Sequence, residues 1–339
     1  MTSRASVLPG LEPGLAASLQ AGLDAVEVFI AARVDHDDPF IAGAGGHLLA
    51  AGGKRFRPML TLLAAHVGSG VNDDVVAAAA AVELTHLASL YHDDVMDEAS
   101  IRRGVPSVNA AYGNSTAILV GDLLFGTASS IVADLGPEAV KIQAETFVRL
   151  CAGQIRDDRP CPAGVDPIAD YLEVLADKTG VLIATSARYG AMFSGCDDAT
   201  VGILRDYGER LGVAFQLADD VLDVAGQGVV SGKLPGTDLR AGVQTLPTLY
   251  VREDARDSRG PVTPADRRLL ELLDADLSAD ETGVAEALAL LRAHPAFQRA
   301  REETRSTARR AQEVLTPLGD TAVTRALRAL AAGVVDRRV

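Results

Sequence analysis

The chain carries one acidic pentad twice, as Asp93-Asp94-Val95-Met96-Asp97 and as Asp219-Asp220-Val221-Leu222-Asp223. In each copy the first and fifth Asp are four apart, so on a helix they project from one face, roughly 5–6 Å apart at Cβ. Carboxylates crowded in this way repel, and a unit pair at about 5 Å costs roughly 3 kcal/mol at an effective dielectric near 20. Hard divalent ions offset that cost, and Mg²⁺ is typically held by a few carboxylates together with waters and substrate phosphates. A single pentad would carry little weight in a chain with 46 acidic residues, because acidic turns on solvated helix faces are common. Both copies, however, close apolar small-residue runs, 84–91 and 211–218, where a solvated face is not expected. They read as paired carboxylate clamps for metal-bound phosphate.

Cations accompany the clamps. Gly52-Gly53-Lys54-Arg55-Phe56-Arg57-Pro58 sets three of them beside a glycine turn, and Pro58 suits the first turn of a helix. This is a candidate diphosphate grip, although a solvated basic turn has the same composition. His86 lies two helical turns before Asp93, where a satisfied core histidine is the plainer alternative. Arg102-Arg103 follows the first pentad closely enough to meet phosphate oxygens in bidentate fashion. Lys178-Thr179 and Phe215-Gln216 interrupt otherwise apolar stretches, and polar groups so placed need partners. A P-loop is excluded, since 228–234 has the wrong glycine spacing and Leu234 in place of a hydroxyl residue.

The elements that must position these groups are helical. Apolar residues recur at spacings of three and four over 15–34, 58–67, 73–96, 115–134, 137–154, 168–194, 197–223, 264–277, 284–293, 296–318 and 321–335. Alternating β-branched runs of strand length are nearly absent. Turns are expected at 42–46, 52–53, 68–72, 157–166 and 225–242, and a charged surface loop at 253–261. No composition break separates two cores, so the expectation is one all-α domain over 1–339: a bundle of long antiparallel helices with both pentads facing a central cavity.

Composition narrows the function. Hydrophobic residues make up 48% and charged residues 23%, and the longest unbroken apolar stretch, 75–82, falls far short of a membrane span. No stable membrane insertion and no signal peptide are expected. The odd count of three cysteines, without metal-site spacing, suits a reducing cytoplasm. A net charge of -14 argues against a nucleic-acid partner, but not against a small phosphorylated ligand neutralised locally by metal ions.

The order of Gly52 to Pro58, His92 to Asp97, Arg102-Arg103-Gly104, Gly121-Asp122, Lys178-Thr179, Phe215 to Asp220 and Gly232-Lys233 through Asp238-Leu239 resembles that of the trans-polyprenyl diphosphate synthases. The likeness spans about 48–248, with the C-terminal helices (264–339) compatible but not diagnostic. It implies an isoprenoid-synthase helical fold, a homodimer, and Mg²⁺-dependent condensation of isopentenyl diphosphate with an allylic diphosphate. By the same resemblance Asp93, Asp94, Asp97 and Asp219, with Asp220 and Asp223 more weakly, hold Mg²⁺ ions, expected to number three, on the allylic diphosphate. Arg102, Lys178 and Lys233 complete that site, while Lys54, Arg57, His86 and Arg103 hold isopentenyl diphosphate, and Thr179 and Gln216 lie near the developing allylic cation. The family commonly has Lys where this chain has Val243, and Arg240 is the candidate substitute.

Product length follows from small residues. In the family a bulky aromatic five positions before the first pentad stops elongation early; here that position is Ala88, beside Ser89, with Thr85 and Ala81 further back. Leu124 or Phe125 is the expected floor. An open tunnel implies a long-chain product, about C30 to C50, with the C20 geranylgeranyl product as the alternative. A class I terpene cyclase shares the first motif but carries a different second one and more aromatics than the 4% found here. A non-catalytic subunit of a heteromeric synthase typically loses one Asp motif.

Overall fold

The computed structural model describes residues 11–226, 235–257 and 263–335. Its helices are α1 (Pro13–Val34), α2 (Pro39–Ala50), α3 (Phe56–Ala65), α4 (Asp73–Met96), α5 (Val108–Tyr112), α6 (Asn114–Asp134), α7 (Pro137–Asp157), α8 (Pro167–Leu175), α9 (Val181–Phe193) and α10 (Asp198–Ala225). They continue with α11 (Thr237–Arg240), α12 (Leu246–Arg256), α13 (Pro264–Leu273), α14 (Glu281–Ala293), α15 (Pro295–Val314) and α16 (Ala322–Val335). Among the described residues the strands are a single two-stranded antiparallel hairpin, β1 (Ile101–Arg102) and β2 (Val105–Pro106). The all-α expectation therefore holds. Backbone contacts divide the chain into two compact units: one of residues 1–149, 181–209 and 314–329, the other of 150–180, 210–313 and 330–339.

In the first unit α4 is the central element. Asn72 caps it, its side chain accepting from Val75 N at 2.9 Å, and Asp73 and Asp74 complement the positive end of the helix dipole. From Ala78 to Thr85 every α4 residue is buried, which is the pattern of a helix packed on all sides. Its neighbours are α1, α3, α6 and α9. Tyr189 and Tyr207, both fully buried, place their hydroxyls on Ala139 O and Leu327 O at 2.7 Å, so each polar tip is satisfied.

In the second unit the latter part of α10 carries the second pentad. Val224 on α10 joins Leu239, Val251, Leu272, Leu291 and Phe297 in one buried cluster. Asp166 caps α8, and Thr263 with Asp266 forms a reciprocal capping box on α13.

Three expectations are corrected. Residues 42–46 are helical within α2, because the flexibility of Gly43, Gly45 and Gly46 is overridden by the Asp38 cap and by burial of Ala44 and Leu48. The charged segment from 253 continues α12 to Arg256, with Glu253 and Asp254 each 2.6 Å from Arg299. The single helix expected over 168–194 is interrupted by a π-helical turn, Ala176–Gly180. By length and composition alone α1, α4 and α6 could cross a membrane, with 28%, 67% and 39% of their apolar windows buried; interruption by single polar residues hides this from a search for unbroken runs.

Candidate functional site

Along α4 the first pentad divides by angle. Successive residues turn by about 100°, so Asp93 and Asp97 share a face while Asp94 turns away from it. Asp94 is fully buried, Asp93 partly, and Asp97 is exposed. Asp94 Oδ1 accepts from both Nε and Nη2 of Arg102 at 2.6 Å. Its Oδ2 is buried without a hydrogen-bond partner. Burial pushes the Asp94 carboxyl up, and Arg102 opposes the shift.

The hairpin after α4 distributes two arginines. Its two-residue loop, Arg103 at φ 54° and Gly104 at φ 78°, has the positive angles of a type I′ turn. Arg102, on β1, reaches Asp94, whereas Arg103 reaches the glycine turn, donating to Leu48 O at 2.9 Å and to Gly52 O. An arginine in the left-handed region is uncommon, and the strain is accepted where it sends neighbouring cations to different tasks. His92 is fixed from α6: its Nε2 lies 3.2 Å from Ile118 O and 3.3 Å from Asp122, and a Cβ on Gly121 would collide with its ring.

The expected diphosphate grip assembles in the same unit. Lys54 is exposed and Arg57 partly buried, with Arg57 Nε buried and unpartnered. Burial lowers the Arg57 pKa to about 10, opposed by Glu83 and reinforced by Arg103. His86 is held well below the usual imidazole range by burial and then by Arg57, Arg103, Arg102 and Arg55. These cations form a positive cluster beside α4 with an unused guanidinium donor, a fit for an anion. Arg55 differs from its neighbours: it is buried and pairs with Glu27 and Glu83.

The second pentad repeats the angular division on α10. Asp220 is the buried member, accepting from the Tyr171 hydroxyl and from Gln216 Nε2 at 3.4 Å. Burial raises its pKa to about 7; the Tyr171 bond opposes this and Asp238 adds to it. Burial and the same carboxylate push the Tyr171 phenol well up. Asp223 accepts from Thr237 N at 3.0 Å and Asp238 N at 3.2 Å, satisfying the first amides of α11. Lys178 and Thr179 lie in the π-helical turn, a feature frequent at functional sites, and Lys178 Nζ donates to Asp157 at 2.6 Å. Lys233 lies outside the described residues.

The donors suit a hard divalent ion: all are carboxylate oxygens, and one, Asp94 Oδ2, is a buried oxygen without a partner. Among the described residues no three His, Cys, Asp or Glu side chains already converge as a closed metal nest.

The polyprenyl synthetase family profile matches residues 38–291. The chain belongs to the polyprenyl synthetase family. It is 45% identical to the nonaprenyl diphosphate synthase of Mycobacterium tuberculosis, over 99% of each chain. Its structure is similar to a geranylgeranyl pyrophosphate synthase from Corynebacterium glutamicum complexed with calcium and isoprenyl diphosphate, at TM-score 0.84 and 39% identity, covering 96% of this chain and 98% of that one. It also matches a decaprenyl diphosphate synthase from Rhodobacter capsulatus at TM-score 0.84 and 32% identity, covering 95% and 98%.

For this polyprenyl synthetase the wall expected to set product length is less open than its small residues suggest. Ala88 is buried, and the Ser89 hydroxyl turns back to His86 O at 2.9 Å. Thr85 Oγ1 donates to Ala81 O at 2.8 Å and accepts from Gln143 Nε2 at 2.9 Å. Leu124 is buried in the α6 core face, while Phe125 stacks on Phe147 of α7, centroids 3.8 Å apart. The Arg240 guanidinium, the candidate substitute for the lysine absent at Val243, bonds Glu281 at 2.7–2.9 Å and Pro235 O at 2.8 Å, which occupies three of its five donors. Sequence reasoning missed Glu83, Tyr171, Asp157, Gln143 and Phe147, since none stands in a motif.

Proposed function

We propose that this polyprenyl synthetase condenses isopentenyl diphosphate head-to-tail with an allylic diphosphate, giving a long-chain trans-polyprenyl diphosphate of about C30 to C50. One observation carries the reading: the unpartnered Arg57 guanidinium sits among Arg102, Arg103 and His86 beside α4, and His86 is seven residues, roughly 10 Å of helix, from Asp93. A diphosphate grip thus stands within one substrate length of a carboxylate clamp. Lys54, Arg57, His86 and Arg103 hold isopentenyl diphosphate. Asp93, Asp94, Asp97 and Asp219, with Asp220 and Asp223 more weakly, act with Arg102, Lys178 and Lys233 to hold the allylic diphosphate and its divalent ions.

Bound Mg²⁺, which we take to be three ions, supplies the charge neutralisation that lets diphosphate leave. Thr179 and Gln216 orient their dipoles toward the developing allylic cation, and the apolar α4 face keeps water from it. No protein nucleophile is required. The long product rests on small Ala88 and Ser89 and on the similarity to the nonaprenyl and decaprenyl enzymes. The C20 product is the second reading, favoured by the Phe125–Phe147 stack as a floor. We further propose a cytoplasmic homodimer: Ile118, Leu119 and Leu123 expose an apolar face on α6, 43%, 67% and 42% accessible, which a second copy would cover.

The test is a Mg²⁺-dependent assay with isopentenyl diphosphate and C5, C10, C15 or C20 allylic primers, with dephosphorylated products sized by mass. A ladder ending at C30 or beyond supports the reading, and a stop at C20 selects the second. Asp93→Ala and Asp219→Ala should each lower kcat by orders of magnitude with the helical spectrum intact; near-normal turnover in either removes the clamp assignment.

A further inference from the structure

Arg55 stands between Lys54 and Arg57, both assigned above to substrate, yet every N–H of its guanidinium is spent inside the protein. Nε and Nη2 donate to Glu27 at 2.6 and 3.4 Å; Nη1 donates to Glu83 at 3.0 Å and to Gly52 O at 3.4 Å; Nη2 also donates to Leu49 O at 3.2 Å. That accounts for all five donors of the fork. The side chains of Arg55 and Glu83 are 2% and 3% exposed. Arg55 also adopts φ 48°, ψ 39° at the entry to α3, the left-handed region, a conformation that persists only where surroundings over-determine it.

Three further contacts tie this clasp to the grip. Gly52 O, which receives Arg55 Nη1, also receives Arg103 Nη1. Gly53 is wedged between the two guanidiniums, and a Cβ there would lie 3.0 Å from each. Glu83 is one turn before His86 on α4, and its charge is felt by Arg55, Arg57 and Arg103 alike. Lys54, Arg55, Arg57 and Arg103 against Glu27 and Glu83 leave a surplus of two positive charges, suited to a diphosphate. Without Glu83 three guanidiniums would face each other with no buried anion between them, and their mutual repulsion would open the turn.

We propose that Glu83, acting through Arg55, is the positioning residue of the isopentenyl-diphosphate grip: it holds the 52–57 turn and Arg103 in register without touching substrate. This rests on the reading of the grip given above. The experiment is steady-state kinetics of the full-length enzyme, varying each substrate in turn, on wild type, Glu83→Gln, Glu83→Asp and Arg55→Lys, with thermal midpoints recorded in parallel. Glu83→Gln and Arg55→Lys should raise KM for isopentenyl diphosphate at least tenfold, leave KM for the allylic diphosphate within twofold, and keep kcat at saturating isopentenyl diphosphate within about threefold. Glu83→Asp, which retains the charge, should recover most of the affinity.

A merely structural role predicts a lower thermal midpoint with both KM values unchanged or both raised together, and that result overturns the proposal. If Glu83→Gln does not fold, Glu27→Gln serves as the second variant: Glu27 is 26% exposed and its loss leaves Glu83 in place. An unchanged isopentenyl-diphosphate KM in folded Glu27→Gln, or the same KM in folded Arg55→Lys, equally overturns the proposal. Absence of any prenyl product from wild type would instead remove the reading of the grip, so the two failures are distinguishable.

Discussion

Replacing Arg102 by Met should expose how much the first pentad depends on a single cation. Asp94 is 0% exposed, both Arg102 contacts converge on its Oδ1 at 2.6 Å, and Oδ2 has no partner. Removing one member of a buried pair generally costs 3–5 kcal/mol because a charge is left uncompensated. The Arg102 side chain is 27% exposed, so water partly replaces it, and a loss of about 2–3 kcal/mol is expected. Met keeps much of the packing of the Arg stem, which isolates the charge effect. Asp94→Asn in the same background removes the orphaned charge, so the double variant should be more stable than Arg102→Met alone. Urea unfolding without metal, followed by circular dichroism and tyrosine fluorescence, measures all four corners of the cycle. Asp94 is already shifted up from 3.8 by burial, and losing Arg102 raises it further. A folded-state carboxyl pKa above the unfolded value means that the folded variant binds the extra proton, so its deficit should shrink as pH falls through that raised pKa. A loss under about 0.5 kcal/mol at pH 7, or a double variant less stable than the single one, would refute the argument.

Ala88→Phe should shorten the product distribution, read by mass after dephosphorylation, and an unchanged ladder would show that the chain grows elsewhere. Phe125→Ala, by removing half of the stack with Phe147, should lengthen it, whereas shortening would discard the stack as a floor. His86→Gln should flatten the acid limb of stability. In the wild type burial and four arginines hold the His86 pKa well below 6.5, so the unfolded chain takes up a proton first and stability falls as pH drops below about 6.5. Equal slopes for wild type and variant between pH 7 and 5 would argue against that environment.

Most of the helical framework was legible because the apolar period of three and four runs nearly uninterrupted; α4, 73–96, was anticipated to the residue. Where the reading failed, a tertiary contact overrode a local signal. Arg299 draws Glu253 and Asp254 into α12, and no property of the charged run itself announces that partner. The π-helical turn adds one residue to a helical repeat without altering the composition, so Lys178 and Thr179 were placed in the right element but with the wrong backbone. Spacing also located the pentads and set the first and fifth aspartates on one face, but it said nothing of what the second would meet. Partners that separate them, Arg102 on strand β1 of the hairpin and Tyr171 on another helix, are defined only by folding.

The division within each pentad is a consequence of helical geometry that both copies obey. Positions one and five lie about 40° apart around the helix, while position two lies about 100° from the first. If positions one and five face the ligand, position two must point toward protein, and an unpaired carboxylate there is prohibitively placed. Each copy resolves this with a donor from another element: Arg102 for Asp94, Tyr171 with Gln216 for Asp220. The donors differ in kind. Burial pushes both carboxyls up; at Asp94 the Arg102 guanidinium opposes the shift, whereas at Asp220 only neutral donors oppose it, Asp238 adds to it, and the pKa is raised to about 7. The two motifs are identical at their aspartates but differ in what satisfies the buried member, a guanidinium in the first copy and a phenol with an amide in the second.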